Sequence, residues 1–592
     1  MASYTAPLRD MRFVYHELMD GAALRRLPGY EEIDAELVDS VLEEAAKFCE
    51  QELVPLNRPG DEEGCRFVAG EVFTPKGFKE AYAAFTAAGW SALAFDPAYG
   101  GQGLPKSLSL LVDEMLCASN VSFWLYVSLT HGAYQAMRLY ADEELKARYF
   151  PKMAAGAWSG TMCLTEPHCG TDLGLLRTRA EPAPDGSYRI TGTKIFITGG
   201  EHDLTENIVH LVLARLPDAP PGIKGISLFL VPKFLVHDDG SLGARNAVSC
   251  GAIEHKMGIQ ASATCVMNFD GATGYLIGEP HRGMRAMFAM MNTERLAMGL
   301  QAIGHAEAAY QGALAWARER LQGRAAGGAK HPEQPADPLI VHPDVRRMLL
   351  TQRALVQGMR ATAAWVGEAL DVALKASEAE RRQQAEDFLA LMTPIVKGFF
   401  TDLGFECANL GVQVMGGHGY IREHGMEQHV RDARIAQIYE GANGIQAMDL
   451  AARKLPMHEG RLAEAFFRPV NEFIAECASD ARMAEFVAPL KAALERLRHA
   501  VDFVLAQREA SEVGAAAYDL MHLFGYTVLA YQWAKMARIG LAKEAGEEAA
   551  FYRAKVETAR FYMQRILPRS EGLAAALRAG GRSIMAFDDA GW

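Results

Sequence analysis

The hydrophobic period of this chain changes near residue 160 and again near residue 277, and no other sequence feature limits its fold as strongly. In the first part, segments such as DAELVDSVLEEAAKFCEQELVPL repeat apolar residues three and four apart, which predicts amphipathic helices, and Pro55 is expected to end that one. The middle part is rich in β-branched and aromatic residues between glycine and proline breakers, which predicts strands at 187–200, 207–216 and 225–234. From Arg282 onward the helical period returns.

These changes divide the chain into four predicted domains. They are an N-terminal helical domain (1–159), a middle β domain (160–277), a C-terminal helical bundle (278–455) and an additional helical domain (456–592). The additional domain contains long amphipathic stretches such as AAAYDLMHLFGYTVLAYQWAKMARIGL, which favour a packed bundle, with a membrane-contacting tail as the alternative.

Two segments rich in glycine and proline are predicted to be loops, 96–107 and 325–344. For the first, a ligand-facing role and a plain connector are equal alternatives. The second is most simply a surface loop.

The charge and cysteine content exclude several classes of protein. The 60 basic and 73 acidic residues give a net charge of −13, which argues against a nucleic-acid backbone as the main partner. The nine cysteines include no CxxC pair, so neither a disulfide framework nor a zinc site is expected, and a cytoplasmic location fits best. The N-terminus lacks the apolar segment of a secretory signal, and no run of about 18 consecutive apolar residues indicates a membrane span.

Most catalytic motifs with a fixed spacing do not occur. His424 and His429 are five residues apart rather than four and there is no HExxH, so no metal site is predicted. Neither GxSxG nor GxxxxGK[ST] is present, which argues against serine hydrolase and P-loop chemistry. The segment QVMGGHGY (413–420) lacks the full GxGxxG of a Rossmann turn but leaves room for a cofactor near the backbone.

Three short segments carry the remaining chemical signal. QIYEGANGIQ (437–446) places a single carboxylate, Glu440, in an apolar turn opened by glycine; a surface carboxylate at a helix entry is the alternative. CLTEPHCGTD (163–172) and KIFITGG (194–200) combine hydroxyls, glycines and apolar or aromatic residues. This mix suits a flat, hydrogen-bonding ring held against strands, although each segment alone is also typical of an ordinary hairpin edge.

Together with EHKMGIQASATC and QVMGGHGYIREHGMEQHVRDARI, these segments closely resemble, in order and spacing, the acyl-CoA dehydrogenase family of flavoproteins. The resemblance covers about residues 40–455. It implies a mainly α fold with an N-terminal helical domain, a middle β-barrel domain and a C-terminal helical bundle, here followed by the additional helical domain. It also implies FAD as cofactor, an acyl-CoA substrate and an electron-transferring flavoprotein as electron acceptor.

The resemblance gives Glu440 a role. Converting an acyl-CoA thioester to the trans-2-enoyl-CoA requires a base for the proton on carbon 2 while hydride leaves carbon 3 for flavin N5, and Glu440 occupies the family's base position. Desolvation raises the pKa of a carboxylate and makes it a stronger base. Glu294, in MMNTERLAMG, matches the place where other members carry the base. Because the later position is filled here, Glu294 is expected to be structural or a supporting charge beside Arg295.

Other site residues are implied by the same resemblance, position by position. Phe196 replaces the usual tryptophan on the flavin ring, Thr198 matches the hydroxyl near N5, and the segment of Gln413 and Gly417 meets the adenosine half from a neighbouring subunit. The implied cofactor-binding residues are Met162, Leu164, Thr165, Gly170, Thr171, Phe196, Thr198, Gln413 and Gly417. The implied substrate-binding residues are Thr171, Arg295, Tyr439 and Gly441, with a helix-surface ion pair as the alternative for Arg295.

The sequence departs from the family pattern at three places. Cys169 stands where a small residue is usual, which leaves the local backbone path open. Ala442 and Gly444 replace polar residues that often follow the base. The arginine that reaches FAD across the dimer has no counterpart in RERLQGR (318–324).

The N-terminal MASYTAPLRDMRF and the additional domain are similar to a long bacterial subgroup, described as 3-(methylthio)propanoyl-CoA or fatty acyl-CoA dehydrogenases. In related long members the additional domain fills the place that a second dimer takes in tetramers, which predicts a homodimer. A second class stays open, namely an FAD-binding member of the fold that acts on nitroalkanes or damaged DNA, or serves as a scaffold. The nitroalkane enzymes use aspartate as base, so Glu440 argues against them.

Overall fold

The computed structural model describes residues 4–592, apart from the side chain of Asp589. Most of this range is helical. The α-helices are α1 (Leu8–Arg12), α2 (Gly21–Arg25), α3 (Ala35–Phe48), α4 (Val54–Glu63), α5 (Phe78–Ala87), α6 (Lys106–Tyr140), α7 (Glu143–Ala154), α8 (Gly283–Glu319), α9 (Pro343–Lys375), α10 (Ala379–Met415), α11 (Met426–Arg434), α12 (Asn443–Met448), α13 (Arg461–Glu476), α14 (Ala484–Leu505), α15 (Ala510–Lys543), α16 (Ala549–Phe561), α17 (Arg569–Leu577) and α18 (Arg582–Met585).

The strands lie mainly in the middle of the chain, as predicted. They are β1 (Arg66–Val68), β2 (Glu71–Phe73), β3 (Trp158–Cys163), β4 (Arg179–Pro182), β5 (Tyr188–Thr198), β6 (Asn207–Arg215), β7 (Ile226–Pro232), β8 (Phe234–Val236), β9 (Leu242–Arg245), β10 (Val248–Ile253) and β11 (Thr264–Ile277). β5, β6 and β7 confirm the three strands predicted from the sequence.

Five strands of the middle part close into a barrel. β11 pairs with β5, β5 with β4, β4 with β6, β6 with β7, and β7 returns to β11. β10 extends the sheet beside β11, and β3 runs parallel to β6. β6 is buried along almost its whole length, which explains its continuous apolar run. Since closure leaves little free strand edge, the rim and its loops are where a ligand can approach.

By its internal contacts the chain divides into two compact units. The first contains residues up to Ala46, Lys106–Ala118 and Met298–Trp592, and the second contains Lys47–Pro105 and Ser119–Ala297. The unit that holds the barrel thus also contains helices from the predicted N-terminal domain. The unit that holds the C-terminal bundle also contains the additional domain.

Pro55 does not end the first predicted helix, so that prediction is wrong. The chain runs from α3 through a π-helical turn, Cys49–Leu53, directly into α4, where Pro55 is one of the first residues. Proline is tolerated in a first turn because the N–H groups there have no intrahelical partner. The π-helical turn interrupts the hydrogen-bond ladder just before it.

Both predicted loops are loops except for their last two residues, which begin α6 and α9, and each is held by its own contacts. In 96–107, Gly101 lies so close to the Phe95 backbone that a Cβ would approach Phe95 C to 2.3 Å, and this tight packing favours a connector. In 325–344, the carboxylate of Asp337 is fully buried and accepts backbone N–H groups of Ala325, Lys330 and His331.

The additional domain is a packed helical bundle centred on α15. Residues 520–534 of this helix are buried throughout, and α14, α16 and α17 pack on it together with α9 and α10. Gly525 permits one of these contacts, because a Cβ there would lie 2.2 Å from the Phe399 ring. Burial of the apolar side chains of α15 supports the packed bundle over the membrane-contacting tail.

Two helical segments of the described chain, Lys106–Tyr140 and Ala379–Tyr420, are long and apolar enough to cross a membrane by length and composition. Within the fold, 94% and 78% of their apolar windows are buried. Such burial is typical of core helices, so packing accounts for their apolar character.

Arg360 on α9 joins several elements of the first unit through buried ion pairs. Its guanidinium contacts Glu114 on α6, Glu307 on α8 and Asp10 on α1, and all four side chains are buried. Lys555 of the additional domain, also buried, contacts Asp10 in turn. Buried charges are tolerated only when they are paired, so this network ties the N-terminal helix and the additional domain to the bundle.

Within this network, Glu114 is expected to make stability depend on pH. Burial raises the pKa of Glu114 to about 7, although Arg360 acts in the opposite direction. A raised pKa in the folded state stabilises the fold below the unfolded-state pKa, and this contribution is lost as the pH rises through about 7. Wild type should therefore lose stability relative to Glu114→Gln between about pH 5 and pH 7.5, measured as Tm at fixed ionic strength.

Two other members of the network, Asp10 and Lys555, titrate outside most of this window. The pKa of Asp10 is held at about 2 by Lys555 and Arg360 despite its burial, and burial lowers the pKa of Lys555 to about 8. Parallel Tm curves for wild type and Glu114→Gln would contradict the prediction.

Candidate active site

The strand that carries KIFITGG bulges near its end. Between Cys265 and Met267 the β5–β11 register shifts, so that two residues of β5 face one of β11. Phe196, at this bulge, has φ 60°, a conformation that side-chain-bearing residues rarely adopt, and it is 59% exposed. Thr198 follows two residues later and pairs with Thr264. The bulge thus presents an aromatic ring and a hydroxyl-bearing residue at the barrel rim.

The segment CLTEPHCGTD is bound to the same strand. The backbone N–H of Ile195 donates to Thr165 O at 2.9 Å, and Lys194 Nζ donates to Leu164 O at 3.0 Å. Gly170 and Thr171, farther along the segment, are exposed, whereas Met162 at the end of β3 is half-buried. The structure therefore brings the predicted residues 164 and 165 onto the strand that bears Phe196 and Thr198.

A buried carboxylate, Glu166, holds this loop in place through hydrogen bonds. It accepts the backbone N–H groups of Arg177 and Thr178, the Thr178 hydroxyl and Lys194 Nζ, at 2.6–3.0 Å. Despite burial, these donors hold the pKa of Glu166 below its usual value, while burial lowers the pKa of Lys194. Cys169 exchanges two backbone hydrogen bonds with Glu166, so a tight turn accommodates the residue that departs from the family pattern.

Glu166, His168 and Cys169 present three ligand-type atoms within 4.8 Å of one another. Neither the CxxC pattern nor a helical histidine spacing describes this grouping, so the sequence did not indicate it. The Glu166 carboxylate is already neutralised by Lys194 at 2.8 Å and saturated by backbone donors. The cluster therefore supports the loop, since the ammonium group supplies the positive charge that a metal ion would bring.

Glu294 and Arg295 lie on α8 in the unit that contains the barrel. Glu294 is 1% exposed and accepts the Ser128 hydroxyl at 3.3 Å, and Gly132 on α6 makes room for it, since a Cβ there would lie 2.5 Å from Glu294 Oε1. Arg295 is 5% exposed, with Nη1 at 3.4 Å from Asn292 Oδ1. Because Arg295 is buried, the alternative of an ion pair on the helix surface is not supported.

Glu440 lies in a strained turn of the other unit. It has φ 57° and is followed by Gly441 with φ 83°. Gln446, fully buried, donates to the carbonyl oxygens of both residues at 3.1 Å. The half-buried Glu440 precedes α12 by three residues and is therefore not its capping residue. A left-handed conformation costs a non-glycine residue about 1–3 kcal/mol and persists only where its surroundings fix it.

The remaining predicted residues of that unit flank this turn or end α10. The Tyr439 hydroxyl donates to Oε1 of Gln301, which is fully buried. Gln413 and Gly417 are exposed at the C-terminal end of α10, and a Cβ at Gly417 would meet nothing within 4 Å. The open space at Gly417 leaves its backbone accessible.

Sequence reasoning missed three residues that support these groups, namely Lys194, Gln446 and Asp402. Lys194 and Gln446 lie inside segments already singled out, and an inward-facing lysine in an alternating strand was an available signal. Asp402, on α10, accepts side-chain N–H groups of Gln437 and Asn443 on either side of Glu440. No local pattern identifies it, because its partners are distant in the chain.

The barrel rim fits a flavin ring. An exposed aromatic face at Phe196 offers stacking, and Thr165, Thr171 and Thr198 bear hydroxyls for the polar edge of the ring. This donor set combines apolar and hydrogen-bonding groups, as cofactor sites usually do.

Four family descriptions match successive parts of the chain. The chain matches the N-terminal domain (36–157), the middle domain (161–272) and the C-terminal domain (281–455) of acyl-CoA dehydrogenase, and an acetyl-CoA dehydrogenase C-terminal-like domain (466–588). It is 42% identical to 3-methylmercaptopropionyl-CoA dehydrogenase of Ruegeria pomeroyi, over 98% of this chain and 99% of that protein. It is 34% identical to a butyryl-CoA dehydrogenase of Syntrophomonas wolfei (98% of each chain) and 32% identical to broad-specificity linear acyl-CoA dehydrogenase FadE5 of Mycobacterium tuberculosis (100% of each).

Solved structures share the fold. ACDH-11 of Caenorhabditis elegans in complex with C11-CoA has TM-score 0.78 and 18% identity, covering 100% of this chain and 97% of that one. An acyl-CoA dehydrogenase of Bacillus anthracis complexed with FAD has TM-score 0.74 and 20% identity, covering 95% and 91%. Butyryl-CoA dehydrogenase of Megasphaera elsdenii, with TM-score 0.58 and 24% identity, covers 71% of this chain but 98% of its own. The chain therefore belongs to the acyl-CoA dehydrogenase family of FAD-dependent oxidoreductases.

Proposed function

We propose that this chain catalyses the α,β-dehydrogenation of an acyl-CoA to the trans-2-enoyl-CoA, with Glu440 as the base. The observation that supports this most is the Glu440 turn. Glu440 has a left-handed backbone conformation, and the Gln446 side chain donates hydrogen bonds to the carbonyl oxygens of Glu440 and Gly441. Backbone strain of this kind is concentrated at functional sites, where it fixes a group in advance of the reaction.

Each site residue has a proposed task. Glu440 removes the proton from carbon 2, and Gly441 leaves room for the thioester beside it. Tyr439, Arg295 and Thr171 orient the thioester and the CoA. FAD, when bound, supplies the acceptor for the hydride that leaves carbon 3. Its proposed contacts are Met162, Leu164, Thr165, Gly170, Thr171, Phe196, Thr198, Gln413 and Gly417.

The proposed substrates are 3-(methylthio)propanoyl-CoA and linear acyl-CoA thioesters of similar length. The relative from Ruegeria pomeroyi supports the first and the other two relatives support the second. Pentanoyl-CoA is the matched comparison, because it differs from 3-(methylthio)propanoyl-CoA only by a methylene in place of the sulfur. Because the two acyl chains have the same length, a preference for one of them reports recognition of the sulfur rather than of chain length.

We also propose an electron-transferring flavoprotein as the electron acceptor, a homodimer as the assembly and the cytoplasm as the location. The exposed end of α10 at Gln413 and Gly417 supports the dimer, because the family segment it matches meets a cofactor bound by a neighbouring subunit.

An anaerobic titration of the purified FAD-loaded protein tests the reaction and its substrates. Butanoyl-, pentanoyl-, 3-(methylthio)propanoyl-, octanoyl- and palmitoyl-CoA are added separately while the absorption of oxidised flavin is recorded. Bleaching by one or more of them is expected, and the reduction rates rank the chain lengths. If flavin is bound and no acyl-CoA bleaches it, a scaffold or an enzyme for another substrate replaces the proposed function.

Thr198→Ala should slow flavin reduction by about 10-fold without changing acyl-CoA affinity. The proposed hydrogen bond near N5 is strongest as charge develops during hydride transfer, so its loss acts on the reaction step. Stopped-flow reduction with saturating substrate measures the change. Thr193→Ala, on the same strand, is the control, because the Thr193 hydroxyl donates to Asn268 within the sheet. Equal reduction rates for Thr198→Ala and wild type would contradict the assignment.

A further inference from the structure

Asp402 lies at the centre of a hydrogen-bond network that reaches both sides of the Glu440 turn. Its Oδ1 accepts Gln437 Nε2 at 2.6 Å, three residues before Glu440, and Asn443 Nδ2 at 2.8 Å, three residues after it. Asn443, the first residue of α12, also donates to Gly398 O at 2.9 Å. The two ends of the strained turn are therefore attached to one carboxylate on α10.

The other carboxylate oxygen of Asp402 is held by the additional domain. The Tyr518 hydroxyl donates to Oδ2 at 2.6 Å, and His522 Nε2 lies 3.1 Å from the same oxygen. Tyr518 and His522 are one turn apart on α15, with ring centroids 4.4 Å apart. Burial opposes ionisation, but the donors from His522, Tyr518 and Gln437 prevail and keep the pKa of Asp402 below its usual value.

Both donors lie on α15, within the additional domain. Butyryl-CoA dehydrogenase of Megasphaera elsdenii aligns over nearly all of its own length with only 71% of this chain. The additional domain matches a separate family description, at 466–588. In this chain, two side chains of the additional domain bind the carboxylate that supports the turn.

We propose that Tyr518 and His522 of the additional domain act through Asp402 as positioning residues for the Glu440 turn. This inference rests on the proposed role of Glu440 as base. Because the base must meet a carbon-bound proton at short range, small displacements of the turn slow proton transfer more than they weaken binding. The additional domain thus contributes to catalysis without touching the substrate.

The test compares variants of the FAD-loaded, full-length protein. Asp402→Asn keeps the shape of the side chain but removes its charge and turns one acceptor into a donor, so it should slow flavin reduction by about 10-fold or more. Tyr518→Phe should slow it by at least about threefold, with acyl-CoA Kd and flavin content within about twofold of wild type. Tyr531→Phe removes a hydroxyl from the same helix outside this network and is the matched control, with no expected change.

Two further readouts separate positioning from general weakening. The double variant Asp402→Asn with Tyr518→Phe should reduce flavin no more slowly than Asp402→Asn alone, because both act through one network. Amide hydrogen exchange should speed up at residues 437–446 in Tyr518→Phe and remain unchanged in Tyr531→Phe. Independent, multiplicative losses or an exchange pattern like wild type would overturn the inference.

Glu440→Gln in the same series distinguishes failure of the positioning inference from failure of the proposed function. If Glu440→Gln abolishes reduction while Asp402→Asn and Tyr518→Phe react like wild type, the positioning inference fails and the proposed base stands. If Glu440→Gln itself reduces flavin normally, the proposed function fails. If Asp402→Asn does not fold, Tyr518→Phe alone tests the inference. Tyr518 is 45% exposed, so loss of its hydroxyl should not destabilise the core.

Discussion

Glu440→Gln is expected to lower the rate constant of flavin reduction by about 10²–10⁴-fold, the range typical of a lost general base. Glutamine keeps the size of the side chain, so the strained turn held by Gln446 should survive. Acyl-CoA binding should change little, because the base acts mainly in the transition state. Stopped-flow reduction and equilibrium binding measure the two effects separately.

Glu294→Gln is the matched comparison for this result. Glu294 is a carboxylate that is 1% exposed, whereas Glu440 is half-buried, and the amide of glutamine can still accept the Ser128 hydroxyl. We expect this variant to keep much of the reduction rate. A larger loss in Glu294→Gln than in Glu440→Gln would assign the base to α8 instead.

Arg360→Met is expected to lower the free energy of unfolding of the first unit by about 3–5 kcal/mol. Methionine fills a similar apolar volume but leaves Glu114 and Glu307 buried beside each other with no guanidinium between them. An uncompensated buried charge is more costly than the lost pair itself, since desolvation is no longer offset. Chemical denaturation of the FAD-loaded protein, followed by far-UV circular dichroism, measures the change.

Arg347→Met, on the same helix, controls for the loss of an arginine. Arg347 is exposed and pairs with Asp344 at 2.8 Å across one turn. An exposed pair of this kind contributes at most about 1 kcal/mol, so this variant should unfold almost like wild type. Equal destabilisation by the two substitutions would show that the buried network does not stabilise the unit.

Local sequence patterns were sufficient to predict the order of helical and β segments along the chain. The period of the apolar residues predicted helices, then strands, then helices, because amphipathic period and β-branched content act over a few neighbouring residues. The family segments were likewise sufficient for membership of the family, since their residues are contiguous. The helix boundary at Pro55 was mispredicted because a proline ends a helix in one position and begins it in another, and only the hydrogen-bond ladder distinguishes them.

By itself, the sequence determined the helical and β order, the three barrel strands and the family, and it directed attention to Glu440. The tertiary structure alone decided how these groups are held. Asp402 and Tyr518 are 116 residues apart in the chain, and Asp10 and Arg360 are 350 apart. No pattern within a few turns encodes such pairings, because they arise from packing that brings distant helices together and excludes water from their charges.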